Sequence, residues 1–140
     1  MISALDISTS ALVAERIRMD TISSNIANIS TMRQEDGRAE PFQARHVIFQ
    51  TDEHTRTSQG AVGVKVSEVE TKTIEPLYKF QPTHPLAIQD GPRKGYVAYP
   101  NINLTEQFVD ALSATRAYEA NIGVMEISKS MSERTLSILA

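Results

Sequence analysis

The chain has 140 residues, a formal net charge of -3 at pH 7, 41% hydrophobic residues and no cysteine. These values are ordinary for one globular domain, and the lack of cysteine excludes disulfides and thiolate chemistry. Acidic and basic residues are interspersed, so the sequence offers neither a basic patch for nucleic acid nor a cationic face for a membrane surface.

The first segment, residues 1–31, is predicted to be an amphipathic helix from about residue 3. Its apolar residues fall on one face at the helical period. We expect Glu15, which falls within this face, to be solvated at a loosely packed helix end rather than paired across a helix contact. The N-terminus has no basic start and no continuous apolar core, so we expect export without a cleavable Sec signal.

The middle segment, residues 32–100, is predicted to be a small β-rich module. It begins with a charged loop over residues 33–40. Strand-like runs follow at residues 46–51, 62–69, 78–80 and 96–99. The alternation of Val62, Val64 and Val66, extended to Val69, predicts one half-buried face in the second run.

The last segment, residues 101–140, is predicted to be one unbroken helix, because it contains no Pro and a single Gly. Asn103, placed after Pro100, is the predicted N-cap. Apolar spacings of four and three define two seams on different sides of this helix. The first seam contains Leu104, Phe108, Ala111, Thr115, Tyr118, Ile122, Met125, Lys129, Ser132, Leu136 and Leu139. The second seam contains Ala117, Ala120, Val124, Ile127, Met131, Arg134 and Ile138. One partner helix can cover only one seam, so the helix requires at least two neighbours.

The three imidazoles give no sign of a catalytic or metal site. None of His46, His54 and His84 lies three to five residues from another, as a local zinc pair requires. His84 stands between turn prolines, and we expect it to make a structural hydrogen bond. With no phosphate-binding Gly-rich loop and no nucleophile elbow, we expect no catalytic residue, no cofactor and no metal.

Two short motifs and a central pattern connect the chain to a known family. Ser10, Leu12 and Ala14 are followed by Asn25, Ala27 and Asn28, which resembles the S-x-L-x-A and N-x-A-N elements of the bacterial flagellar axial proteins. The run SATRAYEANI at residues 113–122 is similar to the C-terminal signature of that family. The P-x-H-P turn at residues 82–85, the GYV run at 95–97 and the PNIN run at 100–103 resemble the proximal rod members. The short middle segment favours the same group.

The resemblance implies a fold and a role. The fold is α+β, in which long N- and C-terminal helices pair as a coiled-coil-like bundle around residues 1–31 and 101–140, with the β-rich module between them. The role is a structural subunit of the proximal rod of the flagellar basal body, which crosses the periplasm. The helices assemble helically into a drive shaft that transmits torque and encloses the export channel. The implied partners are further copies, other proximal and distal rod proteins, and the membrane ring and surrounding ring proteins, with no nucleic acid and no small-molecule substrate.

We expect the intersubunit contacts to lie on both terminal helices. The predicted interface residues are Leu12, Met19, Ile22, Asn25, Ile26, Asn28, Tyr118, Ile122, Val124, Met125, Ile127, Met131, Leu136 and Ile138. Three alternatives remain open from the sequence: a different proximal rod subunit, a non-flagellar helical dimeric regulator or chaperone, and a metal-dependent hydrolase that uses His46, His54 and nearby acids.

Overall fold

The computed structural model of the protein describes residues 4–33 and 39–139, without the side chain of residue 139. Residues 1–3, most of the predicted loop at 33–40 and residue 140 lie outside the described residues. The elements in chain order are α1 Ala4–Ala27, β1 Arg45–Asp52, a 3-10 turn Glu53–Thr55, β2 Gly63–Thr71, β3 Leu77–Phe80, β4 Tyr96–Tyr99 and α2 Leu104–Leu139. The α+β class, with the two helices at the termini, is confirmed. Neither helix, over the described residues, has a stretch apolar enough to cross a bilayer.

The helix boundaries follow local chemistry. Asn103 caps α2 as predicted, because its Oδ1 accepts hydrogen bonds from the backbone N–H groups of Thr105 at 3.0 Å and Glu106 at 3.4 Å. Helix α1 ends at Ala27, earlier than the sequence suggested. There the backbone hydrogen bonds change from the i→i−4 to the i→i−3 pattern, because Ile29 N–H donates to the carbonyl of Ile26 at 3.3 Å and Thr31 N–H donates to the carbonyl of Asn28 at 3.0 Å.

The β-rich module consists of two antiparallel hairpins. Strand β1 pairs with β2, and β3 pairs with β4. A register shift next to Phe49 leaves Ser67 as an extra residue in β2, so that Val66 and Val69 both stand opposite residues of one β1 face. Of these two valines, Val66 is half-buried and Val69 remains exposed. The β1–β2 hairpin packs on α1.

The second hairpin is closed by a long loop over residues 81–95. Gly95 has a φ of 82°, and a Cβ there would lie 2.8 Å from the ring of Phe80. Glycine therefore meets both a conformational and a steric need at this point. His84 Nδ1 accepts a hydrogen bond from the backbone N–H of Leu86 at 3.1 Å, which confirms its predicted structural role.

The two helices pack side by side and run antiparallel. Asn25 near the end of α1 contacts Gln107 near the start of α2, whereas Met19 further back in α1 contacts Thr115 further along α2. Extrapolating this pairing, α2 runs past Ala4 by roughly nine residues, or about 13 Å. All residues from 131 to 138 are exposed. The end of α2 therefore lacks a partner helix among the described residues.

Candidate assembly interface

The face that α2 turns toward α1 differs from the predicted first seam. Its buried and half-buried residues include a row at spacings of four and three, namely Gln107, Ala111, Ala114, Tyr118, Asn121, Met125 and Ser128. The prediction that Leu104 and Phe108 belong to the covered seam is wrong, since both side chains are exposed. Ala14 and Ala114 are almost fully buried, and such small side chains let helix backbones approach closely. The bond between Asn25 and Gln107 then fixes the rotation of α2.

Asn25 joins α1 to both of its neighbours. Its side chain is 1% exposed. The Oδ1 atom accepts from the backbone N–H of Arg45 at 2.9 Å, and Nδ2 donates to the carbonyl of Arg45 at 2.8 Å and to Oε1 of Gln107 at 2.9 Å. Every polar position of the amide except one lone pair is therefore used inside the chain, where an unpaired group would be costly.

A second polar contact attaches the early part of α1 to the same β-hairpin. The Ser10 hydroxyl donates to the carbonyl of Ile7 at 2.6 Å and accepts from the backbone N–H of Val64 at 3.1 Å. Gly63 is buried beside it, and a Cβ there would collide with the hydroxyl oxygens of Ser10 and Thr55. Because Ser10 and Asn25 are separated by about 22 Å of helix, the two contacts together fix the orientation of the β1–β2 hairpin on α1.

Glu15 lies next to the helix contact and is not solvated, so that prediction is wrong. Its side chain is 13% exposed, and Oε2 lies 3.7 Å from Nη1 of Arg18, whose Nη2 lies 3.7 Å from Oδ1 of Asp110 in α2. Burial raises the pKa of Glu15, and the charge of Arg18 partly offsets this rise. The short chain of charges therefore crosses the helix contact through Arg18 rather than through Glu15 itself.

Four large apolar residues of the second seam form an uncovered surface on α2, here called the exposed stripe. Val124, Ile127, Met131 and Ile138 are 46%, 63%, 64% and 83% exposed. They lie on the side of α2 away from α1, at spacings of three, four and seven. The stripe extends onto the part of α2 that runs past α1. Its exposure, its length and its extension past α1 make the exposed stripe the strongest candidate for an intersubunit contact.

The other predicted interface residues fall into three groups. Ile22 and Asn25 are buried by contacts within the chain. Half-buried positions are Leu12, Met19, Ile26, Asn28, Tyr118 and Met125. Ile122 and Leu136 are exposed. Asn28 uses its side chain locally, because it donates a hydrogen bond to the carbonyl of Ser24 at 2.9 Å and accepts one from the hydroxyl of Thr31 at 3.0 Å. The side-chain amides of Asn25 and Asn28 therefore make their hydrogen bonds within one chain.

Sequence reasoning missed several residues of this region. Val109 and Leu112 in the first turns of α2 and Val13 in α1 are large, apolar and exposed, and they widen the uncovered surface. In α2, Leu112 lies four residues after exposed Phe108 and three after Val109, and this helical spacing was the available signal. Gln107 was missed because a lone Gln in a helix ordinarily reads as a solvated residue.

The histidines stand apart from one another. His46 is the second residue of β1 and His54 lies in the 3-10 turn after its end, so about 20 Å of extended strand separates them. This spacing contradicts the alternative of a hydrolase centre built on both. Across residues 4–33 and 39–139, no three His, Asp or Glu side chains gather as ligands for a metal ion.

Comparison with known proteins gives a consistent result at both ends of the chain. Residues 5–33 match the family model described as flagella basal body rod protein, and residues 93–138 match the model described as flagellar basal body rod FlgEFG protein C-terminal. The chain is 39% identical to the flagellar basal-body rod protein FlgC of Borreliella burgdorferi, over 99% of this chain and 97% of that protein. It is 37% identical to FlgC of Salmonella typhimurium over the same shares, and 35% identical to FlgC of Bacillus subtilis over 96% and 95%.

Proposed function

This chain belongs to the FlgC family of flagellar basal-body rod proteins, and we propose that it builds the proximal part of the rod by packing its terminal helices against neighbouring subunits. As a member of that family it is a structural subunit of the basal-body rod. In the proposed assembly, α1 and α2 line the inner tube around the export channel. The β-rich module forms the outer layer, and torque passes through the helix contacts.

The exposed stripe on α2 is the observation that carries this proposal. Its four side chains together expose the equivalent of between two and three complete side chains. Burying a Val, Ile or Met side chain contributes about 1.5 to 3 kcal/mol, so covering the stripe contributes roughly 5 kcal/mol to association. A monomer gains none of this energy. The coiled-coil spacing of the stripe suits a helix from another subunit as the cover.

The geometry of the helix pair also favours an open polymer. The stripe continues onto the end of α2, while the opposite end of the pair is occupied by the turn after α1 and the start of α2. Two different surfaces that meet head to tail generate a helical filament unless the rotation closes into a ring. The neighbours in such a filament are further copies at the same level, and other rod proteins above and below it. Ring proteins face the outer module.

A matched pair of substitutions tests this proposal. Val124 in the stripe is 46% exposed and Val69 in β2 is 42% exposed, so Val124→Asp and Val69→Asp make the same change at similar exposure. Val124→Asp places a charge in the buried contact, and we expect loss of rod assembly and motility while the subunit is still secreted. Val69→Asp is expected to leave both nearly unchanged.

The measurements are swimming in soft agar, secretion of the subunit and electron microscopy of isolated basal bodies. Normal rods built from Val124→Asp subunits would show that the stripe is not an assembly contact. Far-UV circular dichroism of both purified variants serves as the control for folding.

A further inference from the structure

Among the aspartates that the structure describes, only Asp90 directly precedes a glycine. It lies in the long loop of the second hairpin, whose two sides are held together where Gly95 N–H donates to the carbonyl of Ile88 at 2.8 Å. Residues 89–94 extend beyond this contact as the tip of the loop. Asp90 and Gly91 are both exposed to solvent there.

The carboxylate of Asp90 is not held by a partner in the part of the chain that the structure describes. No hydrogen bond and no ion pair engages it there. The backbone N–H of Gly91 likewise donates to no acceptor among these residues. Gly91 has a φ of 92°, and a Cβ built on it would meet no atom within 4 Å. The carboxyl carbon of Asp90 can therefore turn toward the Gly91 nitrogen through open space.

We propose that Asp90 is a site of spontaneous isomerisation to isoaspartate. The Gly91 nitrogen attacks Cγ of the protonated Asp90 carboxyl, a C–N bond forms, and the hydroxyl leaves with the N–H proton as one water molecule. Water then opens the resulting five-membered succinimide at either carbonyl group. Opening at the main-chain carbonyl gives isoaspartate, in which the backbone runs through Cβ and Cγ, and opening at the other carbonyl restores aspartate. One water molecule is lost and one is regained, so the reaction needs no other reactant.

The other described aspartates lack this combination of features. Asp6, Asp20 and Asp110 lie inside helices, which hold each residue in one φ/ψ region. Asp52 accepts a hydrogen bond from the backbone N–H of His54 at 3.3 Å. All four are followed by a residue with a side chain, which crowds the attacking nitrogen. Ring closure at any of them therefore requires local opening of the structure first.

The reaction lengthens the backbone at the tip of the loop by one carbon atom. The carbonyl of Gly91 accepts a hydrogen bond from the N–H of Lys94 at 3.2 Å, which closes the turn that follows. Arg93 in this turn places Cζ 4.0 Å from the ring centroid of Tyr78. The added atom falls outside both strands of the hairpin, so we expect the modified chain to keep its strand pairing and to change only at the turn.

Ageing of the purified full-length chain at neutral pH tests the proposal. Trypsin releases residues 80–93 as a peptide in which Asp90 is the only aspartate, and it places Asp36, which also precedes a glycine but lies outside the described residues, in the separate peptide 34–38. Isoaspartate leaves the mass of a peptide unchanged and shifts its chromatographic elution. It also accepts a labelled methyl group from S-adenosylmethionine through an isoaspartyl methyltransferase.

We expect isoaspartate to accumulate at Asp90 at least about tenfold faster than at Asp20, Asp52 or Asp110, the factor that about 1.4 kcal/mol of local opening imposes on a rate. Asp90→Glu retains the charge but would have to close a six-membered ring. This variant is expected to give no isomerised product in peptide 80–93.

Ile122→Asp provides the matched control for the loop geometry. Ile122 is exposed and precedes Gly123 inside α2, where a Cβ on Gly123 would also meet no atom within 4 Å. The variant therefore carries the same Asp–Gly dipeptide, with open space beside it, in a helical backbone. We expect isomerisation at position 122 to be at least about tenfold slower than at Asp90 in the same molecule. Far-UV circular dichroism checks that the variant keeps its helices.

A synthetic peptide of residues 80–93 gives the rate of the unrestrained bond. We expect Asp90 in the folded chain to react within about tenfold of this rate, because the loop tip does not have to open. Two results would overturn the proposal: no detectable isoaspartate at Asp90 in the folded chain while the peptide reacts, or equal rates at Asp90 and at position 122 in folded Ile122→Asp.

Discussion

Replacement of Asn25 tests whether one buried amide holds the three elements of the subunit together. Asn25→Ala removes three hydrogen bonds, two to the backbone of Arg45 and one to Gln107. Each contributes about 1 kcal/mol net, and the groups left behind are buried without partners, so we expect a loss of about 3 kcal/mol in the free energy of unfolding. Domains of this size have about 5 to 15 kcal/mol in total, so the loss is large.

Asn25→Asp gives a more specific test, because its shape is nearly unchanged. The carboxylate keeps the acceptor for the Arg45 N–H, but it replaces the Nδ2 donor with an oxygen that faces the Arg45 carbonyl and Gln107 Oε1. Three acceptors then meet without a proton, and we expect a loss at least as large as that of Asn25→Ala.

The assay is urea unfolding followed by circular dichroism, combined with amide exchange at Arg45, whose N–H is released from its acceptor in the alanine variant. Asn28→Ala is the control, since its bonds to Ser24 and Thr31 stay within one turn and their loss costs about 1 kcal/mol. If Asn25→Asp is as stable as the unmodified chain, the amide does not connect the elements as described.

Two further predictions concern the same region. Gly63→Ala is expected to lower the free energy of unfolding by about 1 to 3 kcal/mol, because the new Cβ displaces the hydroxyls of Ser10 and Thr55. A Cβ at Gly123 would have no neighbour within 4 Å, so Gly123→Ala is expected to raise the free energy of unfolding by up to about 1 kcal/mol. Urea unfolding compares the two variants. An unchanged free energy of unfolding in Gly63→Ala would contradict the close packing around Gly63. Burial raises the pKa of Glu15, so the folded chain holds more protons than the unfolded chain as Glu15 titrates, and the free energy of unfolding falls as pH rises through that interval. Glu15→Gln removes this contribution, so its stability relative to the unmodified chain is expected to increase from about pH 4 to about pH 7; a constant difference would show that Glu15 is not desolvated.

The secondary structure was largely accessible from the sequence. The predicted strands lie within one or two residues of the observed ones, and Asn103 caps α2 as expected. These features depend on local chemistry such as capping, turn residues and alternation, which a single sequence contains. The end of α1 was placed too late, because the apolar pattern does not show where the backbone bonds change to the i→i−3 pattern at Ile29 and Thr31.

The packing face of α2 was not accessible in the same way. Helical spacing identifies apolar rows, but it does not say which row a short partner helix will cover. The covered face contains Ala, Gln and Asn besides Tyr118 and Met125, and most of the large apolar residues of α2 are left outside. Leaving these side chains in water is unfavourable for a lone chain, and the cost is removed only when other subunits cover them. One sequence does not contain that information. Asn25 was predicted to contact another subunit, because the sequence does not show that Arg45 and Gln107 come together around its side chain.

The most direct measurement of the central claim is the accessibility of Ile127 before and after assembly. Since the chain has no cysteine, Ile127→Cys introduces a single reactive thiol in the middle of the exposed stripe. In the purified subunit, we expect the thiol to react rapidly with a maleimide reagent. In intact basal bodies we expect it to be protected, with reaction slowed by at least about a hundredfold, and to become reactive again when the rods are dissociated. Equal reaction rates in the subunit and in the assembled rod would show that the stripe stays in solvent, and would contradict the assembly mode described here.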